Sequence, residues 1–339
     1  MIKRITLILL PFFCITNAQI TLPTFQGVHK RHTAEASSLY DFTSHTFTNC
    51  GATGREGPTL ANCKSSYNVS WEDDTDFFDV PSNAGIQLWT VPETATYRIE
   101  VWGAQGAFIT SGHTNGQVLQ GGGGKGARMR GDFNLTAGDK IKILVGQMGR
   151  GGYAASGGGG GTFVATVNNT ALIVAGGGGG NRSGNTWNNA MNAVTGTSGV
   201  DGVGSQHGGH GDGGANGQGG TAGHQSGSGA GFSGDGVKSS DGRSMYINPT
   251  KSYSFVNGGL GGRLQYGSGT SYMQGGFGGG GAGGWGGTGA GGGYSGGGGG
   301  INSNNNGFAG GGGSFNNGSN QSNTGALWED HGKCTITKQ

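Results

Sequence analysis

The sequence predicts a mainly β protein: one β-sandwich with three-residue, polyproline II-type glycine helices inserted between its strands, and little or no α-helix. Three observations predict it. All but five of the 83 glycines lie between Gly103 and Gly332, in runs such as 157–161, 176–180 and 296–300. Short segments of alternating apolar residues interrupt those runs and also stand at both ends of the chain. No 3.6-residue apolar period is sustained anywhere.

Glycine loses the most backbone freedom on ordering and has no side chain to bury in return. The stretch 103–332 is therefore either a flexible Gly/Ser/Asn tether or a structure whose backbone groups bond to other glycine segments. A collagen triple helix needs a strict Gly-X-Y period, which this chain lacks. Glycine helices packed side by side and bonded laterally need no such period. Each bond contributes about 0.5–1.5 kcal/mol, close to the ordering cost, so such a lattice requires a rigid frame. The interrupting strands supply one and favour the ordered reading.

Taken in order, the chain opens with Lys3 and Arg4, an apolar run over 5–15 and Thr16-Asn17-Ala18, which reads as a secretory signal peptide over 1–18. Residues 19–39 read as a polar linker, and 40–339 as a single sandwich-plus-glycine unit. Strands are expected over 40–48, 77–80 and 85–91. Over 96–102, Tyr97, Ile99 and Val101 alternate with Arg98 and Glu100. That strand runs into Gly103, so the first glycine helix is expected to hang from a sheet strand. The segment 140–145 alternates again, with Ile141, Ile143 and Val145 inward. Segments 162–167 and 170–175 flank Asn168-Asn169, a hairpin signal. Strand signals vanish over 176–236. A further strand pair is expected from 245–247 and 252–256, and a last strand from 333–338. The aromatics Tyr266, Tyr272, Phe277, Trp285, Tyr294, Phe308 and Phe315 stand singly among glycines and are expected on the lattice rim or at its ends. The acidic stretch 71–76 lacks the spacing of a calcium loop and reads as a solvated turn.

Removing residues 1–18 takes Lys3 and Arg4 away and leaves equal numbers of basic and acidic residues. That balance gives no electrostatic reason to bind nucleic acid or an anionic membrane. No later apolar run is long enough to span a bilayer. The mature chain is thus expected to be soluble and extracellular. Cys14 leaves with the signal peptide. Cys50 and Cys63 flank a turn-rich segment, and a disulfide between them is expected in an oxidising compartment. Cys334 is left over: a buried thiol, an interchain thiol, or a sign that the pairing differs. Asn68, Asn134, Asn168, Asn181, Asn317 and Asn320 begin Asn-x-Ser/Thr sequons and are candidate glycosylation sites.

Catalytic and cofactor chemistry finds little support. Residues 209–214 (GHGDGG) fit a dinucleotide pattern by letter but have no preceding strand and no following helix. Residues 121–126 lack the spacing and the hydroxyl residue of a phosphate loop. His207, His210 and Asp212 lack zinc spacing and read as a polar loop. No nucleophile sits in a recognisable strained turn. No enzyme activity, cofactor or metal is expected.

Residues 47–58 (FTNCGATGREGP), 85–92 (GIQLWTVP), 97–106 (YRIEVWGAQG) and 173–180 (IVAGGGGG) together resemble the glycine-rich extracellular module of the anaplastic lymphoma kinase and leukocyte tyrosine kinase family. The resemblance covers roughly 40–339 and is nearest to short relatives without a kinase. It implies a tumour-necrosis-factor-like sandwich carrying a bundle of polyglycine II helices and binding a small protein cytokine. Tail-tip adhesins of bacteriophages use a similar bundle to present recognition loops. His-Arg-Asp and Asp-Phe-Gly signatures of a kinase are absent here, and no ligand contact of the family matches a particular residue. The expected function is a secreted recognition or adhesion module, with loops in 181–210, 215–250 and 301–323 contacting an extracellular protein or cell-surface ligand. The alternatives are a self-associating matrix or coat protein, or a soluble decoy for a cytokine.

Overall fold

The computed structural model describes residues 38–81, 85–108, 122–152, 155–182, 187–205, 209–238, 246–266, 271–301 and 307–339. The expected signal peptide and nearly all of the expected linker lie outside these residues, as does His207. Two antiparallel sheets form a sandwich. One has five strands, in the order Ser44–Phe47, Lys333–Lys338, Ala95–Trp102, Gly126–Leu135 and Thr324–Trp328. The other has six, in the order Phe315–Asn316, Ala171–Ala175, Thr162–Thr166, Lys140–Leu144, Gln87–Thr90 and Phe78–Asp79.

Alternation decides what each face buries. Phe47, Tyr97, Ile99, Val101 and Ile336 from the first sheet meet Trp89, Ile141, Ile143, Val164 and Ile173 from the second in the main core. Fully burying one such aliphatic or aromatic side chain stabilises by roughly 1.5–3 kcal/mol. The opposite side of the six-stranded sheet is also covered. Leu144, Phe163, Ala165 and Val174 form a second core with Phe232, Phe255 and Phe277 from the glycine-rich part. Both faces of 162–166 and 171–175 are therefore apolar, which explains the unbroken apolar runs there.

The glycine-rich part forms a lattice, and its hydrogen bonds repeat every three residues. Gly177 and Gly180 donate to Gly292 and Gly289, both at 2.8 Å. Gly178 and Asn181 donate to Ala104 and Ala107, both at 2.9 Å. Gly179, between them, donates to Met191 at 2.7 Å. Three successive residues thus bond three different neighbouring passes, the signature of a helix with three residues per turn. The same step recurs elsewhere: Ala104 and Ala107 donate to Gly160 and Gly157, and Gly103 and Gly106 to Ala127 and Gly124.

Paired strands anchor these passes. Trp102 lies opposite Arg128, Leu144 opposite Phe163, and Val174 opposite Phe315. The chain leaves the sheets for the lattice after Trp102, Leu144 and Ala175, and each time it comes back on the hydrogen-bonded neighbour of the strand it left. The first and last strands pair beside Ala95–Trp102, with Phe47 opposite Cys334 and Cys334 opposite Val101.

Four local features differ from the sequence reading. The segment 252–256 is not a strand: Tyr246–Thr250 pairs with Arg263–Tyr266 instead, and Ser254–Gly258 makes a turn closed by Asn257 and Gly258 donating to Ser254 and Phe255. Gly126–Leu135 is a ten-residue strand with inward Ala127, Met129, Phe133 and Leu135; Gly131 interrupts the apolar alternation. Thr324–Trp328 is an edge strand with mostly exposed residues and no apolar alternation. The cystine loop contains one short helix, Leu60–Ser66, started by a Thr59/Asn62 capping box and too short to show a period.

Candidate recognition surface

The expected contact loops are less loop-like than their composition. Gly199 and Gly202 donate to Gly214 and Gly211, and those two donate to Gly296 and Gly299. Parts of 181–210 are therefore tied into the lattice by backbone bonds while most of 194–201 stays exposed or half-buried, and within 215–250 the run 225–232 is buried, with Gly229 donating to Gly297. The amides of Gly211 and Gly214 are consumed by these bonds, so 209–214 has none there to offer a phosphate. Among the isolated aromatics, Phe277 and Phe308 are buried rather than presented. Tyr294 stacks on Phe315 with ring centroids 4.6 Å apart. His210 faces the Gly204 carbonyl, and no group of three His, Cys, Asp or Glu side chains suited to a metal occurs among the described residues.

Cys50 and Cys63 are disulfide-bonded, with Cα atoms 4.9 Å apart. Cys334 is a buried free thiol, and burial pushes its pKa well above the ordinary value. An interchain bond through Cys334 would require the surrounding fold to open. Of the sequons, Asn68, Asn134, Asn168, Asn317 and Asn320 are exposed. Asn181 is only 2 % exposed, and its Nδ2 donates to the Gly122 carbonyl at 2.8 Å. The folded lattice has no room for a glycan on that nitrogen.

One apolar concavity of about 350 Å³ opens where the six-stranded sheet meets the glycine lattice. Ile86, Leu88 and Lys142 form its floor, the 166–170 hairpin tip one wall, and the turn at 254–258 the other. Leu88 and Lys142 are cross-strand neighbours. Asn169 adopts a left-handed φ of 60° at the tip, and its Oδ1 accepts from Lys142 Nζ at 2.8 Å. Val167 and Val256 both line it, each 44 % exposed. Beneath Val256, Phe255 is buried between Phe163 and Phe232, with centroid distances of 5.3 and 5.0 Å.

The turn is fixed to the lattice. Phe255 and Val256 donate their amides to Gly231 and Phe232 at 3.2 and 3.1 Å. Asp235 clamps it from the side: Lys251 Nζ lies 2.7 Å from its carboxylate, and the Ser254 amide and Asn257 Nδ2 donate to it at 2.8 and 2.9 Å. Burial alone would raise the Asp235 pKa, but these three donors outweigh it and hold the pKa at about 2. The clamp therefore stays charged through the neutral and mildly acidic range. The arrangement presents a rigid apolar rim with one lysine on its floor.

No family model matches the chain. Over 104 residues, 31% of this chain, it is 36% identical to the leukocyte tyrosine kinase receptor of Mus musculus. That match covers 11% of the receptor, so the chain spans about a tenth of the length of the relative it matches.

Proposed function

We propose that the chain is a secreted recognition module that binds an extracellular protein through the concavity bounded by Val167 and Val256. The carrying observation is the pair of exposed valines lining one concavity, with Val256 fixed to the lattice by its backbone bond to Phe232. Exposed apolar surface that the fold positions firmly marks interaction sites. The lattice is the platform: it fixes the turn at 254–258 through backbone bonds that need no side chains. The similarity to a receptor tyrosine kinase supports a role in recognition, and the Cys50–Cys63 bond fits an oxidising compartment. No helix among the described residues is long and apolar enough to cross a membrane. Glycans at the exposed sequons belong to the same reading.

The test uses the double variant Val167→Glu/Val256→Glu. Both side chains are half-exposed, so folding should be almost unchanged, while two carboxylates in the concavity should weaken binding of the labelled protein to cells from its native environment by about tenfold or more. A glycan on Asn168 would stand beside this rim, so the assay is run with and without enzymatic deglycosylation. Unchanged binding by a folded double variant in both forms removes this surface from the account.

A further inference from the structure

A second cleft, sharing no lining residue with the concavity, lies where the cystine loop caps the end of the lattice. It measures about 190 Å³ and is lined by Thr53, Arg55, Glu56, Arg150, Arg263 and Gln274. These residues carry three guanidinium groups and one carboxylate.

Backbone bonds build the cleft from separate passes. Gly261 donates to the Arg55 carbonyl at 3.0 Å, and Arg55 Nε returns a bond to the Gly261 carbonyl at 3.0 Å. Arg150 donates its amide to Gln274 at 2.7 Å, and Phe277 donates to Gly54 at 2.7 Å. Gly54 has a φ of +93°, and a Cβ there would meet Arg150 Nε at 3.0 Å. Glycine at this point lets the guanidinium lie against the loop.

Arg55 is weakly compensated within the cleft. Arg55 is 15% exposed, while Glu56 is 73% exposed and its Oε1 lies 3.3 Å from Arg55 Nη1. A carboxylate so far out in solvent compensates little of a buried guanidinium's lost hydration. Burial pulls the Arg55 pKa down; Glu56 opposes this and the neighbouring Arg263 charge adds to it. Arg150 Nη2 donates to Thr53 Oγ1 at 2.6 Å, but Arg150 Nε is buried with no hydrogen-bond partner among the described residues. An unused donor on a charged group, beside the weakly compensated Arg55 guanidinium, points to an anion as the partner of this cleft.

We propose that this cleft binds one tetrahedral oxyanion, a sulfate or phosphate group. Guanidinium forks arriving from three chain segments suit a group with oxygens in several directions better than a planar carboxylate. The volume holds one such group and is below the range of ordinary small-molecule pockets. A free ion and an ester on a saccharide present the same chemistry, and the test separates the two.

The full secreted chain is titrated calorimetrically with inorganic sulfate, inorganic phosphate and a sulfated disaccharide, with acetate and chloride as controls at matched ionic strength. Saturable one-to-one binding of a tetrahedral ion is expected, with acetate and chloride markedly weaker. Tighter binding of the disaccharide than of sulfate assigns the site to an esterified group; equal or weaker binding assigns it to the free ion. Arg150→Gln should weaken binding about tenfold or more, the loss expected for a charge-assisted donor. Glu56→Gln, at an exposed position that leaves the fold intact, should strengthen it by a factor of about two to five. No saturable binding to the folded wild type, equal binding of acetate, or unchanged affinity in both variants would overturn the proposal.

Discussion

Gly178→Ala is expected to cost about 4 kcal/mol or more of folding stability, enough to leave much of the chain unfolded. Gly178 donates to Ala104, and a methyl group there would overlap the carbonyl of Gly124 on the next pass. That carbonyl cannot retreat alone. It accepts from Gly106 at 2.9 Å, and the Gly124 amide is bonded to Gly179 at 2.9 Å. Relief requires moving a whole pass, which breaks lateral bonds at three-residue steps along it. Gly196→Ala is the matched control, because a Cβ there meets nothing within 4 Å and its φ is not left-handed. Losing unfolded-state freedom should leave that variant neutral or stabilise it by up to about 1 kcal/mol. Denaturant melts of the two variants check the contrast. Equal effects would mean that the close approach of the passes does not exist in solution.

The second large effect is an acid-linked loss of stability centred on His45. Its ring lies edge-on against Phe47, Tyr67 and Trp71, at centroid distances of 4.7, 4.5 and 5.0 Å. Its Nε2 is buried without a hydrogen-bond partner among the described residues. Burial lowers its pKa from 6.5 to about 4. The unfolded chain therefore takes up the proton first. The stability contributed by neutral His45 is present above pH 6.5 and is lost as pH falls towards 4, by about 2–3 kcal/mol. His331 acts in the same direction: burial depresses its pKa, and its Nδ1 accepts from the Met148 amide at 3.0 Å. His45→Phe removes a buried polar atom that has no partner, so it should be neutral or stabilising at pH 7. Its loss of stability between pH 7 and 4 should be smaller than the wild type's by about 2–3 kcal/mol. Equal pH dependence of the two proteins would show that His45 is solvated.

The frame was more legible than the surface. Tyr97, Ile99 and Val101 alternate cleanly, the Asn168-Asn169 tip marks a hairpin, and the last strand is written in Cys334 and Ile336; each lies in the structure where its period places it. Gly126–Leu135 escaped notice because Gly131 interrupts an otherwise regular inward set. The segment 252–256 has the letters of a strand, yet left-handed Gly258 and Gly259, with φ of 97° and 71°, turn the chain immediately after it. Composition could not separate a tether from a lattice pass. Segments such as 199–203 and 211–214 carry no side-chain pattern, since most of their partners are backbone groups on other passes, Gly296, Gly299 and Gly311 among them. For the same reason the concavity was invisible: its walls come from residues 167–169 and 255–258, brought together only by the lattice.

The central claim is that the glycine passes are held by lateral backbone bonds, and amide hydrogen exchange tests it most directly. The amides of Gly177, Gly178, Gly180, Gly292 and Gly312 each donate to another pass at 2.8–2.9 Å. They are expected to exchange as slowly as those of the strand Ala95–Trp102, near the global unfolding limit. Exchange of these glycine amides at the rate of a free chain, while Ala95–Trp102 stays protected, would contradict the account.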